Sequence, residues 1–163
     1  MQFSSSVEHA FHSLFYMMDL PKNKPIGIKK IAQIHHLADA YLSKIFSKLQ
    51  KAGIVKSISG VNGGYQLAKN PEEISFWDVL EAIEGSSYFF QCADIRERNI
   101  FEKDTTIYKK QHCPCLIKVV MMEAEEQFRN SLKKKSLFWL HTNVKSHFST
   151  QIQQAIDTWA QTI

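Results

Sequence analysis

The chain has 163 residues, 44% of them hydrophobic, and a formal net charge of +4, which is enough material for a single buried core. It has no apolar run of roughly eighteen residues, so no membrane-spanning helix is expected, and Met1-Gln2-Phe3-Ser4-Ser5-Ser6 lacks the basic stretch and cleavage site of a secretory signal. Three cysteines do not make a disulfide framework, and the expectation is a cytoplasmic protein that needs no membrane.

The modest net charge hides a polarised chain. Residues 22–69 hold nine lysines against one acid, Asp39, a local charge of +8, while the rest carries eleven Lys and Arg against fifteen acids. Such asymmetry bears on partners rather than on fold, and a compact basic unit suits a polyanion, with nucleic acid the first candidate.

In chain order, a first helix carries His9 and His12 at i, i+3, a spacing that more often reflects packing than metal binding. Gly27 and Ile28 open a short helix with Ile28, Ile31, Ala32 and His35 at helical spacing, and a turn follows around His36 and Leu37. A second helix runs over residues 39–52, with Leu42, Ile45, Phe46 and Leu49 as an inward stripe. Tyr41, Lys44, Lys48 and Lys51 fall on another face with Ser43 and Ser47 alongside, and Gly53 stands where a left-handed cap is wanted. Alone, that cationic face is equally compatible with a merely solvated one. Ile54-Val55-Lys56-Ser57-Ile58 then reads as a strand and Tyr65-Gln66-Leu67 as its partner, joined by the glycine-rich Ser59-Gly60-Val61-Asn62-Gly63-Gly64. A helix-turn-helix running into a hairpin predicts a winged helix, whose second helix enters the major groove.

These residues resemble the IscR/NsrR/CymR-type (BadM/Rrf-type) bacterial transcription regulators. The likeness rests on Tyr41-Leu42-Ser43-Lys44-Ile45-Phe46, on Leu49-Gln50-Lys51-Ala52-Gly53-Ile54-Val55-Lys56-Ser57, and on Gly60 with Gly63-Gly64-Tyr65-Gln66-Leu67. It continues through Asp78-Val79-Leu80-Glu81-Ala82-Ile83-Glu84-Gly85 and covers roughly residues 1–135. The resemblance implies a homodimer on pseudo-palindromic double-stranded DNA, and in many members a response to iron–sulfur status, nitric oxide or cysteine metabolism. This chain departs from it in the wing, where Ser59 replaces an arginine common in the family and residues 59–64 carry no charge. An arginine there can read a narrow minor groove and a serine cannot.

Beyond the wing, Ser75 and Asp78 form a capping-box-like pair ahead of Phe76, Val79, Leu80 and Ile83. Residues 86–112 show no period. A long helix follows from Pro114 to about Lys135, with Leu116, Val119, Val120, Ala124, Phe128 and Leu132 on one side and Glu123, Glu125, Glu126 and Arg129 mostly elsewhere. The resemblance makes this helix the main dimer contact. A last helix over residues 149–163 is expected to bury Ile152, Ile156, Trp159 and Ile163. The fold class is thus mainly α with a small β-hairpin. Its expected parts are a winged helix-turn-helix DNA-binding domain over residues 1–85, an irregular sensor-like loop over 86–112, and a helical dimerisation region over 113–163.

Cys92, Cys113 and Cys115, with His112 as a spare ligand, offer thiolates near a helix start, where the dipole and Lys109 and Lys110 favour ionised sulfur. Three outcomes stay open: an iron–sulfur cluster, a thiol-based redox response, or inert cysteines. Cysteine-ligated family members hold three cysteines at shorter spacing, and Arg96 and Arg98 stand where the middle one would be sought. No phosphate-binding glycine loop, Ser–His–Asp set or paired carboxylates can be found, so no enzyme is expected. The expected contacts to DNA are Tyr41, Ser43, Lys44, Ser47 and Lys48 in the groove. Lys29, Lys30, Lys51, Lys56, Ser57, Ser59, Gly60, Asn62 and Gly63 are expected on the backbone. The competing reading is a thiol- or metal-responsive module that docks a protein partner and has lost DNA affinity.

Overall fold

The apolar stripes of residues 5–17, 28–34, 39–51 and 76–84 converge on one core. The computed structural model describes residues 2–93, 95, 100 and 115–163. The elements are α1 (Ser5–Met17), α2 (Ile28–Ile34), α3 (Asp39–Lys51), β1 (Val55–Ile58), β2 (Gly64–Leu67), a 3-10 turn (Pro71–Glu73), α4 (Phe76–Glu84), α5 (Leu116–Lys133), α6 (Leu137–Lys145) and α7 (Thr150–Thr162). They form two compact units, one of Gln2–Ser86 with Leu132–Ile163 and one of Ser87–Ser131.

In the first unit, Ala10, Leu14 and Met17 of α1 join Ile31 and Ala32 of α2, the four stripe residues of α3, and Val79 and Ile83 of α4 in a continuous buried cluster. β1 and β2 pair antiparallel with Val55 opposite Leu67 and Ser57 opposite Tyr65. Ile26 adds a two-way bridge to Tyr65, with both N–H···O distances at 2.9 Å. The capping box of α4 is present in both directions, the Ser75 amide donating to Asp78 Oδ2 at 2.7 Å and the Asp78 amide donating to Ser75 Oγ at 3.1 Å. Ser4 at the start of α1 donates from its amide and its hydroxyl to Glu84 Oε1, both at 2.8 Å.

The C-terminal residues pack with this unit, although the sequence grouped them with the long helix. Residues 135–137 run antiparallel to residues 74–76, with the Phe76 amide donating to Lys135 O and the Leu137 amide to Ile74 O, each at 2.8 Å. Helix α6 had no counterpart among the sequence expectations. Ser136 caps it by accepting from the Trp139 amide, and Leu137, at its first position, is fully buried. Helix α7 buries Ile156 and Ala160 and half-buries Trp159 and Ile163, but Ile152 is 47% exposed, contrary to expectation. The buried face is shifted toward Ala160, which the expected stripe left out.

In the second unit, Glu125 of α5 is buried, although the sequence set it apart from the apolar side. Its carboxylate accepts from the Phe89 amide at 3.0 Å and from Arg129 Nε at 2.9 Å, so the charge enters the interior already paired. The rings of Phe89 and Phe128 meet edge to face at 5.5 Å beside it.

Asp19 ties α6 to the end of α1. Its side chain is 3% exposed, and Oδ1 accepts from His141 Nε2 at 2.9 Å and Lys145 Nζ at 2.6 Å. Burial opposes ionisation, but the hydrogen bonds and charges of His141 and Lys145 outweigh it and hold the carboxyl below its ordinary value of 3.8. A depressed folded-state pKa stabilises the fold above the unfolded value and loses that stability as pH falls through the folded one. Asp19→Asn is therefore expected to cost about 2 kcal/mol near neutral pH, the scale of hydrogen bonds to charged groups. Urea titrations at pH 6 and below pH 4 test this: the gap between wild type and variant must narrow in acid.

Candidate nucleic-acid interface

The helix-turn-helix is set by backbone geometry before any side chain reaches outward. Helix α2 ends at His35, and His36 takes a left-handed conformation with φ of 51°. The Leu37 amide then donates to Ala32 O at 2.9 Å and closes the turn. Helix α3 starts at Asp39 with no side-chain cap, so its rotation rests on its buried face, where Leu42, Ile45, Phe46 and Leu49 are all at most 2% exposed. Gly53, at φ of 69°, stops the helix and turns the chain into β1, a conformation costly for residues with a Cβ.

Outward from that stripe stand Lys44, Ser47 and Lys51, all exposed, with Ser43 half-buried. Ser47 Oγ donates to Ser43 O at 2.8 Å. Lys29 and Lys30 are exposed on α2. In the wing, Lys56, Ser57, Ser59, Gly60 and Asn62 are exposed and Gly63 is half-buried. Gln50 of α3 donates to Ser57 Oγ at 3.1 Å, which joins helix and wing. The tip is a turn closed from the Gly63 amide to Gly60 O at 2.9 Å. A Cβ on Gly64 would strike the Ile26 carbonyl, so glycine lets the wing root pass close to the strand-like Ile26. Val61 projects fully into solvent at the tip.

Two of the expected groove residues are committed to their own protein. The Tyr41 hydroxyl lies 3.0 Å from both Ser6 Oγ and His9 Nδ1, so this side chain seals α3 to α1. Lys48 Nζ donates to Ile83 O at 2.7 Å, where a cation meets the negative end of α4. Neither bond was legible, because each partner lies more than thirty residues away. Against the rings of His12 and Tyr16, His35 has its Nε2 buried without a hydrogen-bond partner among the described residues. Burial, with His12 and His9 nearby, holds its imidazole below the ordinary histidine value, so the neutral form is favoured in this aromatic seam.

Cys92 and Cys115 are half-buried thiols in the unit that holds α5. His112 and Cys113 lie outside the described residues, as do Pro114, Arg96 and Arg98. Among the described residues, no three His, Cys, Asp or Glu side chains come together so as to hold a metal ion, and this applies equally to His9 and His12. No helix among the described residues is long and apolar enough to cross a membrane.

Comparison with known proteins agrees with this geometry. Residues 3–143 match the Rrf2 family model, described as an iron-dependent transcriptional regulator. The chain belongs to that family. It is 31% identical to the HTH-type transcriptional regulator NsrR of Halalkalibacterium halodurans over 88% of this chain and 92% of that one. It is 34% identical to NsrR of Shouchella clausii over 61% of this chain, an alignment that spans 66% of that protein. Among solved structures, IscR of T. potens superposes with a TM-score of 0.64 at 22% identity, covering 92% of this chain and 93% of its own, and shares the winged-helix fold.

The contrast between Lys48 and Lys44 gives a test independent of any ligand. Lys48→Met is expected to lower stability by about 1 kcal/mol through the lost bond to Ile83 O, while Lys44→Met changes it by less than ~0.5 kcal/mol. Urea midpoints measured side by side decide the point, and equal midpoints would remove the structural role of Lys48.

Proposed function

We propose that this Rrf2-family chain is a homodimeric, sequence-specific DNA-binding transcription repressor that lays α3 in the major groove. The observation that carries the proposal is the outward face of α3. Lys44, Ser47 and Lys51 stand free of ion pairs among the described residues, on a helix whose other side is locked into the core. Ser43, Lys44 and Ser47 are the groove contacts in this reading. Lys29, Lys30, Lys51, Lys56, Ser57, Ser59, Gly60, Asn62 and Gly63 hold phosphates and sugars. Tyr41 and Lys48 position the helix and do not read bases.

Dimerisation is assigned to α5. Leu116 is 73% exposed and Val120 61% exposed, and Ile117 and Met121 continue the same exposed apolar arc. An apolar helix face of that width is what a two-fold contact buries. Two copies would place their α3 helices in successive major grooves, roughly 34 Å apart along a pseudo-palindromic site. An effector that acts on sulfur would act at Cys92 and Cys115, in the unit that carries this helix.

Two experiments test the proposal. Lys44→Glu with Lys51→Glu is expected to abolish binding to both operator and random duplex in fluorescence anisotropy, with far-ultraviolet circular dichroism unchanged; retained affinity removes the groove assignment. Leu116→Glu with Val120→Glu is expected to halve the mass seen by sedimentation, and a variant that still sediments as a dimer removes α5 from the interface. If the wild type shows no salt-dependent DNA affinity, the docking-module reading takes over.

A further inference from the structure

We infer that the loop Pro21-Lys22-Asn23-Lys24-Pro25 is a second phosphate-holding surface that extends the duplex contact outward past the wing. The inference rests on the DNA-binding reading above and adds residues that it does not use.

The loop is built to be rigid. Prolines fix φ at both ends, and Asn23 takes a left-handed φ of 64°, a region asparagine tolerates better than most residues. The Lys24 amide donates to Pro21 O at 3.0 Å, closing a tight turn. The two-way bridge between Ile26 and Tyr65 then fastens its C-terminal end to the hairpin. The Gln66 amide, oriented to donate to Asn23 O at 3.0 Å, accepts from Lys56 Nζ at 2.9 Å, so the loop and a wing lysine share one polar clasp. A loop already ordered loses little entropy when it meets a partner.

Its surroundings are cationic and open. Lys22 and Lys24 are exposed, and among the described residues neither they nor Lys69 form an ion pair. The two loop lysines border two adjoining hollows. One, of about 760 Å³, is also lined by Lys56 and Lys69, with Glu73 its one acid. The other, of about 660 Å³, is also lined by Lys30, Asn62 and Gly63. Lys30, Lys56, Asn62 and Gly63 are themselves proposed backbone contacts, so the loop continues that surface without a break. Both hollows are wide, and lysine ammonium groups are point donors that suit phosphate oxygens.

The uncharged wing tip supplies the reason for a duplex as the partner. A wing tip without a cation has no electrostatic hold of its own on the flanking backbone, and the loop places two lysines beside it. Each phosphate neutralised by such a lysine adds about 0.9 to the log–log salt slope.

The test compares wild type with the Lys22→Ala, Lys24→Ala, Lys69→Ala triple variant, by salt titration of operator affinity and by hydroxyl-radical footprinting. The expected result is a slope lower by about 2 to 3, loss of protection at the outermost sugars of each half-site, and an unchanged ratio of operator to random-duplex affinity. The Lys→Arg triple variant should retain the wild-type slope. A triple alanine variant whose slope or footprint matches wild type overturns this inference and leaves the α3 assignment standing. A wild type that fails to bind duplex at all overturns both.

Discussion

Four buried side chains on one helix decide where this molecule points its charge. Leu42, Ile45, Phe46 and Leu49 are locked in the core, each contributing about 2 kcal/mol by burial, so α3 cannot rotate about its axis without exposing part of that stripe. With 100° between successive residues, positions 44, 47 and 51 fall nearly opposite the stripe. Positions 41 and 48 fall about 90° to 110° from its centre, both on the same flank. That flank is where α1 and the end of α4 arrive, and there Tyr41 meets Ser6 and His9 while Lys48 meets Ile83 O. One packing decision thus divides the polar residues of a single helix into those that hold it and those that face solvent.

The same logic extends from helix to wing. Gly53 ends α3 in a left-handed turn that only glycine takes cheaply, and β1 leaves directly from it. Ile26 from the other side of the helix-turn-helix bridges β2, and the missing Cβ at Gly64 permits that approach. Helix, hairpin and the loop before α2 are therefore fastened at several points by backbone bonds. A surface made from them keeps its spacing, which a phosphate-tracking surface needs.

Most of this module was legible in the sequence because its signals are local. The period of α3, the Ser75–Asp78 box and the glycine-rich turn each declare themselves within a few residues, and the structure has all three. What escaped was non-local. Asp19 meets His141 and Lys145 across more than 120 residues, and nothing near Asp19 announces that pairing. Helix α6 is nine residues long and begins one residue after a strand-like pairing, so its period had little length in which to show. The buried Glu125 escaped because a charge is assigned to solvent unless its partner is known, and that partner includes a backbone amide at Phe89. On the same face of α3, the bonds of Tyr41 to Ser6 and of Lys48 to Ile83 O were hidden in the sequence for the same reason.

Chemical character on the outward face of α3 is divided as well. Ser47 gives its one hydroxyl hydrogen to Ser43 O, which leaves lone pairs directed away from the helix. On the proposed docking, Ser47 is then an acceptor in the groove, suited to the exocyclic amino groups of cytosine or adenine. Lys44 is a donor only, suited to guanine O6 and N7 or to a phosphate. A donor and an acceptor three residues apart can distinguish base pairs, which a stripe of lysines cannot do, because phosphates look alike at every step. On the proposed docking, the cations at the edges and the mixed pair at the centre would therefore perform different tasks: the first would set how strongly any duplex is held, and the second which duplex is held longest.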